Sequence, residues 1–343
     1  MKIIDRKFLD TPTPSVHASS IVFYHGKMFS AWFGGTREGA NDVCIYLNNG
    51  EKTKTIGENI QLPCWNPIWL VHRDDLYLMY KVGEFCDRWQ TFIVRLDEEF
   101  NLLGPPQILP AGLNGPVKTK PLIQNDRIYC GSSVETMFDW TCYIEVYDIH
   151  NNRFKYCSRS GPLTIPKKSF NAGFGRQRPT SGILQPALWR YDNDNDIHMF
   201  MRSSRGLSQM YYARLDTFDH DVARSPMPVT NMANPNSSVD VVCHLGNLYL
   251  VCNPNSEERN PLAVYALGNG IDIKYTDMGG PSFPLELTLD LQDELIIGRS
   301  EDIDPAKHIT QELSYPYMIE NEGKLYLSYT YGRSKIAVCT IEI

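Results

Sequence analysis

One pattern of apolar residues recurs six times along the chain: a short apolar stretch, a turn at Gly, Asp or Asn, and a second apolar stretch. Two strand-length stretches around a turn predict a β-hairpin. The six predicted hairpins are Ser20–Phe23 with Met28–Trp32, Pro67–Leu70 with Leu76–Tyr80, Pro121–Ile123 with Ile128–Cys130, Pro186–Trp189 with Ile197–Phe200, Val239–Val242 with Leu248–Val251, and Pro316–Ile319 with Leu325–Tyr329. A lone hairpin cannot bury both faces, so we expect the copies to stack on one another.

Each hairpin is followed by a stretch that alternates apolar and polar residues, as half-buried outer strands do. These stretches are Val43–Leu47, Thr91–Leu96, Tyr143–Tyr147, Met210–Leu215, Leu262–Leu267 and Ile336–Ile341. Helical periodicity is nearly absent, so the sequence predicts an all-β fold. A ring of four-stranded blades is the economical way to close such repeats, and we expect a six-bladed β-propeller formed by residues 1–343 as a single domain. Lys2–Leu9 is expected to add an outer strand to the last blade.

Three longer connections interrupt the repeats, at Gly104–Pro116, Ser158–Ser181 and Gly279–Glu312. The second is rich in Pro, Gly, Lys and Arg. Long loops in a compact domain are often lids or binding loops, and the alternative is a plain crossover.

Charge and composition exclude several classes of partner. The formal charge of -7 and pI near 5.6 argue against nucleic acid or an anionic membrane surface, so an anionic ligand would need focused Arg and Lys. There is no apolar run of about 20 residues and no leader-like start, so we expect a cytoplasmic location. The nine cysteines lie mostly in predicted strands and are expected to be reduced core residues. Neither a metal site nor a cofactor is predicted, and the oligomeric state stays open.

Candidate site residues lie where the inner strands begin, because the inner strands of a propeller run side by side and their starts share one mouth of the channel. Polar or charged residues occupy almost every such position, namely His17, Asn66, Lys118, Lys120, Gln185, Asn236, Asp240 and Tyr315. The alternative is that they are solvated strand caps.

Basic residues near strand ends form a second set of candidates, since the planar guanidinium fork matches a carboxylate. They are Arg37, Arg88, Arg202, Arg259 and Arg333, with Lys81 beside a strand end. The densest cluster of charged residues lies in the loop after the predicted strand that ends at Trp32–Phe33. In this loop Arg37 is closely followed by Glu38 and Asp42. Such a loop could protonate a leaving group while its arginine holds the substrate, or it could be an ordinary ion-paired loop.

Several phrases of the chain resemble the sialidase (neuraminidase) superfamily, in particular its bacterial branch of predicted neuraminidases with BNR-like repeats. The phrases are His17-Ala18-Ser19-Ser20, Trp32-Phe33-Gly34-Gly35-Thr36-Arg37-Glu38-Gly39, Lys118-Thr119-Lys120-Pro121, Ser132-Ser133-Val134-Glu135, Asn234-Pro235-Asn236-Ser237 and Ser314-Tyr315-Pro316. The resemblance implies a six-bladed propeller with three arginines on the substrate carboxylate, an aspartic acid/base, and a tyrosine nucleophile activated by a glutamate. It implies that Tyr315 is the nucleophile and Asp42 the acid/base, with Arg202 and Arg259 as two of the arginines.

The sequence departs from that pattern at two positions. The first arginine of the pattern is replaced by His17, and the glutamate by Gln185, which cannot accept the tyrosine proton. We therefore expect an exo-acting glycoside hydrolase on a glycan or oligosaccharide with a carboxylated sugar. The alternatives are a lyase that eliminates next to a glucuronate-type residue, with His17 or Tyr315 as base, and a non-catalytic sugar-binding propeller.

Overall fold

The computed structural model describes residues 1–136, 139–165, 181–192, 194–204, 206–216, 225–275 and 284–343. Most of the cation-rich connection between Ser158 and Ser181, and the first residues of the connection that begins at Gly279, lie outside these ranges. Within them, no helix is long and apolar enough to span a bilayer.

The described residues form 24 β-strands and two short 3-10 helices, Cys86–Arg88 and Ser300–Asp302. The strands are β1 (Lys2–Phe8), β2 (Ser15–Tyr24), β3 (Lys27–Gly35), β4 (Cys44–Asn48), β5 (Thr53–Ile56), β6 (Cys64–His72), β7 (Asp75–Val82), β8 (Gln90–Leu96), β9 (Gln107–Ile108), β10 (Leu122–Gln124), β11 (Arg127–Glu135), β12 (Asp139–His150), β13 (Arg153–Arg159), β14 (Ser181–Trp189), β15 (Ile197–Ser203), β16 (Gln209–Leu215), β17 (Met227–Ala233), β18 (Asp240–His244), β19 (Asn247–Cys252), β20 (Leu262–Tyr275), β21 (Pro284–Gly298), β22 (Leu313–Asn321), β23 (Lys324–Tyr331) and β24 (Lys335–Glu342).

These strands pair as six antiparallel groups of four, which we number in chain order. Sheet 1 is β2-β3-β4-β5, sheet 2 is β6-β7-β8-β9, sheet 3 is β10-β11-β12-β13, sheet 4 is β14-β15-β16-β17, sheet 5 is β18-β19-β20-β21, and sheet 6 is β22-β23-β24-β1. A short parallel pairing between β12 and β14 also joins sheets 3 and 4. The all-β prediction is confirmed, and each predicted hairpin is the first strand pair of one sheet.

The strands outside the six hairpins confirm one of the sequence predictions and correct two others. β1 pairs with β24 from Lys2 opposite Glu342 to Phe8 opposite Ala337, so the two ends of the chain share sheet 6 as predicted. The stretches that follow the hairpins are the third strands of their sheets, and most of their residues are buried rather than half-buried as expected. The expected loop from Gly279 contains the strand β21, because alternate residues such as Leu287 and Leu289 are buried against sheet 4.

Four apolar clusters lie between sheets that follow one another in the chain, namely 1 and 2, 3 and 4, 4 and 5, and 5 and 6, and a fifth combines residues of sheets 1, 2, 3 and 6. The sixth cluster packs Leu9, Val16 and Trp32 against Ile336 and Val338, and so joins sheet 6 to sheet 1. Burial of these faces supplies the main stabilisation, since no single sheet can cover both of its sides.

All nine cysteines are free thiols, as expected. Six are buried, whereas Cys86 and Cys243 are partly exposed and Cys157 is exposed. The core placement therefore holds for most of them but not for Cys243, which had been expected to be buried.

Candidate active site

The first strands of four sheets share an irregularity close to their starts. The pairing of β2, β6, β14 and β22 with the following strand shifts register there. Each shift contains one non-glycine residue with a positive φ: Ala18 (51°), Asn66 (43°), Gln185 (57°) and Tyr315 (54°). Such a conformation costs about 1 kcal/mol or more, and a bulge re-aims side chains out of the regular alternation. The same strained feature thus positions candidate residues from four separate sheets.

Tyr315 is the centre around which the site is built. Its ring centroid lies 4.1 Å from that of His17. Three cations surround the same ring, with Arg259 Cζ at 5.5 Å, Arg202 Cζ at 5.6 Å and Lys118 Nζ at 5.7 Å from its centroid. Residues from sheets 1, 3, 4, 5 and 6 therefore meet at one tyrosine.

Arg202 is a buried cation without a carboxylate partner among the described residues. It is 4% exposed, its Nη1 donates to Tyr315 Oη at 3.1 Å, and its Nε is buried without a hydrogen-bond partner. Its Cζ also lies 5.7 Å from the ring centroid of Trp140. A desolvated charge is costly unless an anion compensates it, so this geometry is typical of an anion-binding site.

The carboxylate of Glu312 links Arg259 to Arg333. Glu312 accepts hydrogen bonds from Arg259 Nη1 at 3.4 Å, Arg333 Nε at 2.7 Å and Ser314 Oγ at 2.7 Å. Burial alone would raise the pKa of Glu312, but the two guanidinium groups hold it below its ordinary value. Arg333 also pairs with Glu38 from the loop after β3. A cavity of about 570 Å³ lies beside this chain of ion pairs.

His17 is buried against Tyr315 and is held in a basic environment. Its Nδ1 lies 2.9 Å from Thr330 Oγ1. Burial, followed by the positive charges of Arg333, Arg259, Lys118 and Arg202, lowers the pKa of His17 well below its ordinary value. The imidazole is therefore neutral at physiological pH and is available as a proton acceptor.

Lys118 and Lys120 differ in their partners. Lys118 is 1% exposed, and its Nζ donates to Pro316 O at 3.3 Å. Burial lowers the pKa of Lys118 to about 7, although Asp240 opposes the shift. Lys120 instead forms a 2.6 Å ion pair with Asp240, whose other oxygen accepts from Met318 N at 2.7 Å. The Lys120–Asp240 ion pair therefore links sheets 3, 5 and 6, whereas Lys118 lies beside the Tyr315 ring.

Gln185 and Asn236 carry unsatisfied acceptors. Both side-chain oxygens are buried without a hydrogen-bond partner, and Gln185 is 3% exposed. Leu184, next to Gln185, pairs with Arg202 across sheet 4. The backbone oxygen of Asn236 accepts from Arg259 Nη2 at 3.0 Å. Both residues thus border the arginines, and neither contributes a carboxylate.

The contacts of the remaining candidates are local. Asp42 is exposed, and its carboxylate accepts from Thr36 N at 2.9 Å and Thr36 Oγ1 at 3.0 Å, which fixes the loop that carries Glu38. Arg37 is exposed in the same loop. Arg88 is exposed and its Cζ lies 6.0 Å from the ring centroid of Phe85.

Lys81 is fully buried between sheets 2 and 3 and does not contact Tyr315. Its Nζ donates to Thr91 Oγ1 at 2.8 Å and to the backbone oxygen of Asn114. Burial lowers the pKa of Lys81 to about 7, with Glu145 opposing the shift. These contacts make Lys81 part of a buried polar network.

Two residues of the site were not among the sequence candidates. Glu312 precedes the Ser314-Tyr315-Pro316 phrase by two positions, and this proximity is the signal that could have identified it. Trp140 lies at the start of β12, the third strand of sheet 3, whereas the polar candidates lie at the starts of inner strands.

The fold and this basic, tyrosine-centred site define a sialidase-like protein. The chain belongs to the BNR repeat-like domain family, whose pattern matches residues 26–327. No curated protein matches the sequence significantly.

Solved structures share the fold at low identity. A protein of unknown function from Dyadobacter fermentans has a TM-score of 0.68 at 11% identity and covers 100% of this chain and 99% of its own. Trypanosoma rangeli sialidase in complex with the inhibitor DANA has a TM-score of 0.61 at 11% identity, over 96% of this chain and 55% of its own. A neuraminidase-like protein of a little yellow-shouldered bat isolate from Guatemala has a TM-score of 0.56 at 8% identity, over 99% of both chains. The chain thus spans about half the length of the trypanosomal sialidase, and these likenesses establish the fold alone.

Proposed function

We propose that the six sheets are the blades of a closed six-bladed β-propeller formed by residues 1–343 as a single domain. The apolar cluster between sheets 6 and 1 supports closure, as does the pairing of β1 with β24. Closure would place the starts of all six inner strands around one axis, which is consistent with the contacts of Tyr315.

We propose that the protein is an exo-acting glycoside hydrolase that acts on a glycan or oligosaccharide ending in a carboxylated sugar, a sialic or uronic acid. The observation that carries this proposal is Arg202, a buried guanidinium that contacts Tyr315 and has no carboxylate partner in the described chain. Arg202 and Arg259 would bind the sugar carboxylate, and Arg333 would add a third charge from sheet 6.

In this reaction Tyr315 attacks the anomeric carbon while the bond to the leaving oxygen breaks and Asp42 protonates that oxygen. Water then cleaves the glycosyl–tyrosine bond with Asp42 acting as base. Because Gln185 cannot take the phenolic proton, a neutral base must do so. His17 and Lys118 both border the Tyr315 ring. His17, with a pKa well below its ordinary value, is present as the neutral imidazole, and Lys118, with a pKa of about 7, is partly neutral near pH 7, so each offers an unprotonated nitrogen to the phenol.

Fluorogenic aryl glycosides of sialic acid and glucuronic acid test the proposal. The substitution Tyr315→Phe is expected to reduce kcat by about 10³-fold while the fold stays intact, because it removes only the reacting oxygen. Tyr326→Phe, in the same sheet but packed edge-to-face against Phe23 away from the site, is the matched control and should retain activity. Full activity in Tyr315→Phe would remove this residue from the mechanism, and no turnover of either glycoside by the wild type would argue against hydrolysis.

A lyase is the second candidate, and it is favoured by the absence of a carboxylate at Gln185 together with the neutral imidazole beside Tyr315. Arg202 and Arg259 would neutralise the uronate carboxylate, and His17 or Tyr315 would remove the proton next to it. The electron pair would form a carbon–carbon double bond as the bond to the leaving oxygen breaks, and the other of the two groups would donate a proton to that oxygen. The product absorbs in the near ultraviolet, whereas hydrolysis products do not. One absorbance trace with uronate-containing oligosaccharides separates the two reactions, and a silent sugar binder would produce neither.

A further inference from the structure

The six tryptophans of the chain fall into two groups. Trp32, Trp69 and Trp189 are buried in the core, at 0%, 2% and 2% exposure. Trp65, Trp89 and Trp140 are partly exposed. All three lie at the end of their sheet where the inner strand begins, which is the end that carries Tyr315.

A continuous row of aromatic rings leads from Tyr315 to two of these tryptophans. The row passes from His17 to Phe33, with ring centroids 5.7 Å apart, and from Phe33 to Trp65, 5.4 Å apart. Trp65 and Trp89 then contact each other at 5.8 Å. The third partly exposed tryptophan, Trp140, has the Arg202 guanidinium over its ring. The Trp65–Trp89 pair is therefore the uncovered aromatic surface connected to the site.

The pair is held in a fixed orientation. Trp65 Nε1 donates to Gly83 O at 2.8 Å. Gly83 lets the chain pass close to Trp89, since a Cβ atom there would lie 3.0 Å from Arg88 O and 3.3 Å from Trp89 Cδ1. Gly39 packs beside Trp65, with an added Cβ at an ordinary contact distance of 3.4 Å from Trp65 Cη2. Phe85, in the loop between β7 and β8, is 59% exposed. Rigid aromatic faces lose little conformational entropy when a ligand binds.

We propose that Trp65 and Trp89 form a second subsite that stacks on the C–H face of a neutral pyranose. Indole rings suit this ligand because they combine a large apolar face with fixed geometry beside a polar cleft. The inference rests on the proposed function for the identity of the sugar at Tyr315. It adds that the ligand is an oligosaccharide in which one or more neutral units follow the carboxylated sugar.

The subsite can be tested by binding, without any requirement for turnover. Indole N–H resonances of the 343-residue chain labelled with nitrogen-15 are recorded during titration with cellotriose, maltotriose and lactose, and with glucuronic acid and N-acetylneuraminic acid as single sugars. We expect at least one neutral oligosaccharide to shift the Trp65 and Trp89 resonances, and the single sugar acids to leave the Trp89 resonance in place.

Two variants and one control complete the test. Trp89→Ala should weaken binding of the neutral oligosaccharide at least tenfold, observed at the Trp65 resonance. If that variant does not fold, Trp65→Phe observed at the Trp89 resonance gives the same comparison. Tyr156→Ala removes an aromatic ring that is 42% exposed on the outer strand of sheet 3 and should change nothing.

The outcomes separate the subsite from the proposed reaction. Shifts with neutral oligosaccharides but no binding of either sugar acid would retain the subsite and remove the carboxylate pocket. Binding of the sugar acids with no neutral oligosaccharide shifting either indole would overturn the subsite alone. Equal oligosaccharide affinity in the wild type and Trp89→Ala would also overturn it.

Discussion

At the scale of single residues, the site combines buried cations with neutral groups that can accept protons. Arg202 carries a desolvated charge without a carboxylate partner among the described residues, and His17 is kept neutral by burial and by its basic neighbours. In a protein with a formal charge of -7, this focus of positive charge favours a functional over a structural explanation.

The substitution Arg202→Met separates those two explanations. It removes a buried charge and keeps most of the side-chain volume, so we expect the free energy of unfolding to stay unchanged or rise by about 1 kcal/mol. Turnover of a carboxylated substrate should fall by about 10²-fold, because one charge-assisted contact to the carboxylate is lost. Calorimetry and steady-state kinetics provide the two readouts. Arg214→Met, which removes a guanidinium paired with Asp196 at 3.0 Å in the same sheet, should keep full activity. Strong destabilisation with unchanged activity would assign Arg202 a structural role.

The buried lysines predict a pH dependence of stability. Burial lowers the pKa of Lys81 to about 7 in the folded state, whereas an unfolded lysine titrates near 10.4. Between these values the unfolded chain binds the additional proton, so this lysine makes the free energy of unfolding rise with pH. Urea denaturation from pH 7 to 9 should show a steeper rise for the wild type than for Lys81→Met. The variant Lys7→Met, at an exposed position of β1, should follow the wild type. Parallel curves for the wild type and Lys81→Met would show that Lys81 is charged in the folded protein.

At the scale of elements, the repeated register shift is the feature that builds the site. β2, β6, β14 and β22 each accept a left-handed residue near their start, and in sheet 6 that residue is Tyr315 itself. A left-handed conformation at a non-glycine residue is unfavourable, so its recurrence at one position in four sheets indicates that it serves the site rather than the strands.

Ala18 permits a direct test of this strain, because glycine adopts its φ of 51° without penalty. For Ala18→Gly we therefore expect the free energy of unfolding to stay within about 0.5 kcal/mol of the wild-type value. Ala31→Gly, in the regular part of β3, should lower it by about 1 kcal/mol or more, since the same change there adds chain entropy and removes a buried methyl group. Denaturant titrations of the two variants provide the comparison, and equal destabilisation would show that position 18 is not strained.

At the scale of the whole molecule, the strand pattern was accessible from the sequence and much of the site was not. Apolar stretches such as Leu76–Tyr80 repeat with enough regularity to locate all six hairpins, because each strand must bury one or both faces. The long outer strand Pro284–Gly298 was predicted to be a loop, although apolar and polar residues alternate from Leu285 to Gln292. The alternation ends where Asp293 and Glu294 follow one another. The burial of the third strands was also not predicted, because it depends on how the neighbouring sheets pack against them.

The contacts of the site depend on distances that a sequence does not contain. Glu38 meets Arg333 from a position 295 residues away, and Lys118 reaches Pro316 across 198 residues. The resemblance of short phrases to a family indicated Tyr315, Arg202 and Arg259 as candidates. The link from Arg259 through Glu312 to Arg333 became visible only in three dimensions.

The central claim is that a sugar carboxylate binds between Arg202 and Arg259 beside Tyr315. A crystal structure of the protein soaked with N-acetylneuraminic acid or glucuronic acid tests it most directly. We predict density for the sugar against the Tyr315 ring, with carboxylate oxygens at about 2.7 to 2.9 Å from nitrogens of both guanidinium groups. A sugar bound elsewhere, or one whose carboxylate faces solvent while both arginines keep their present partners, would contradict the account.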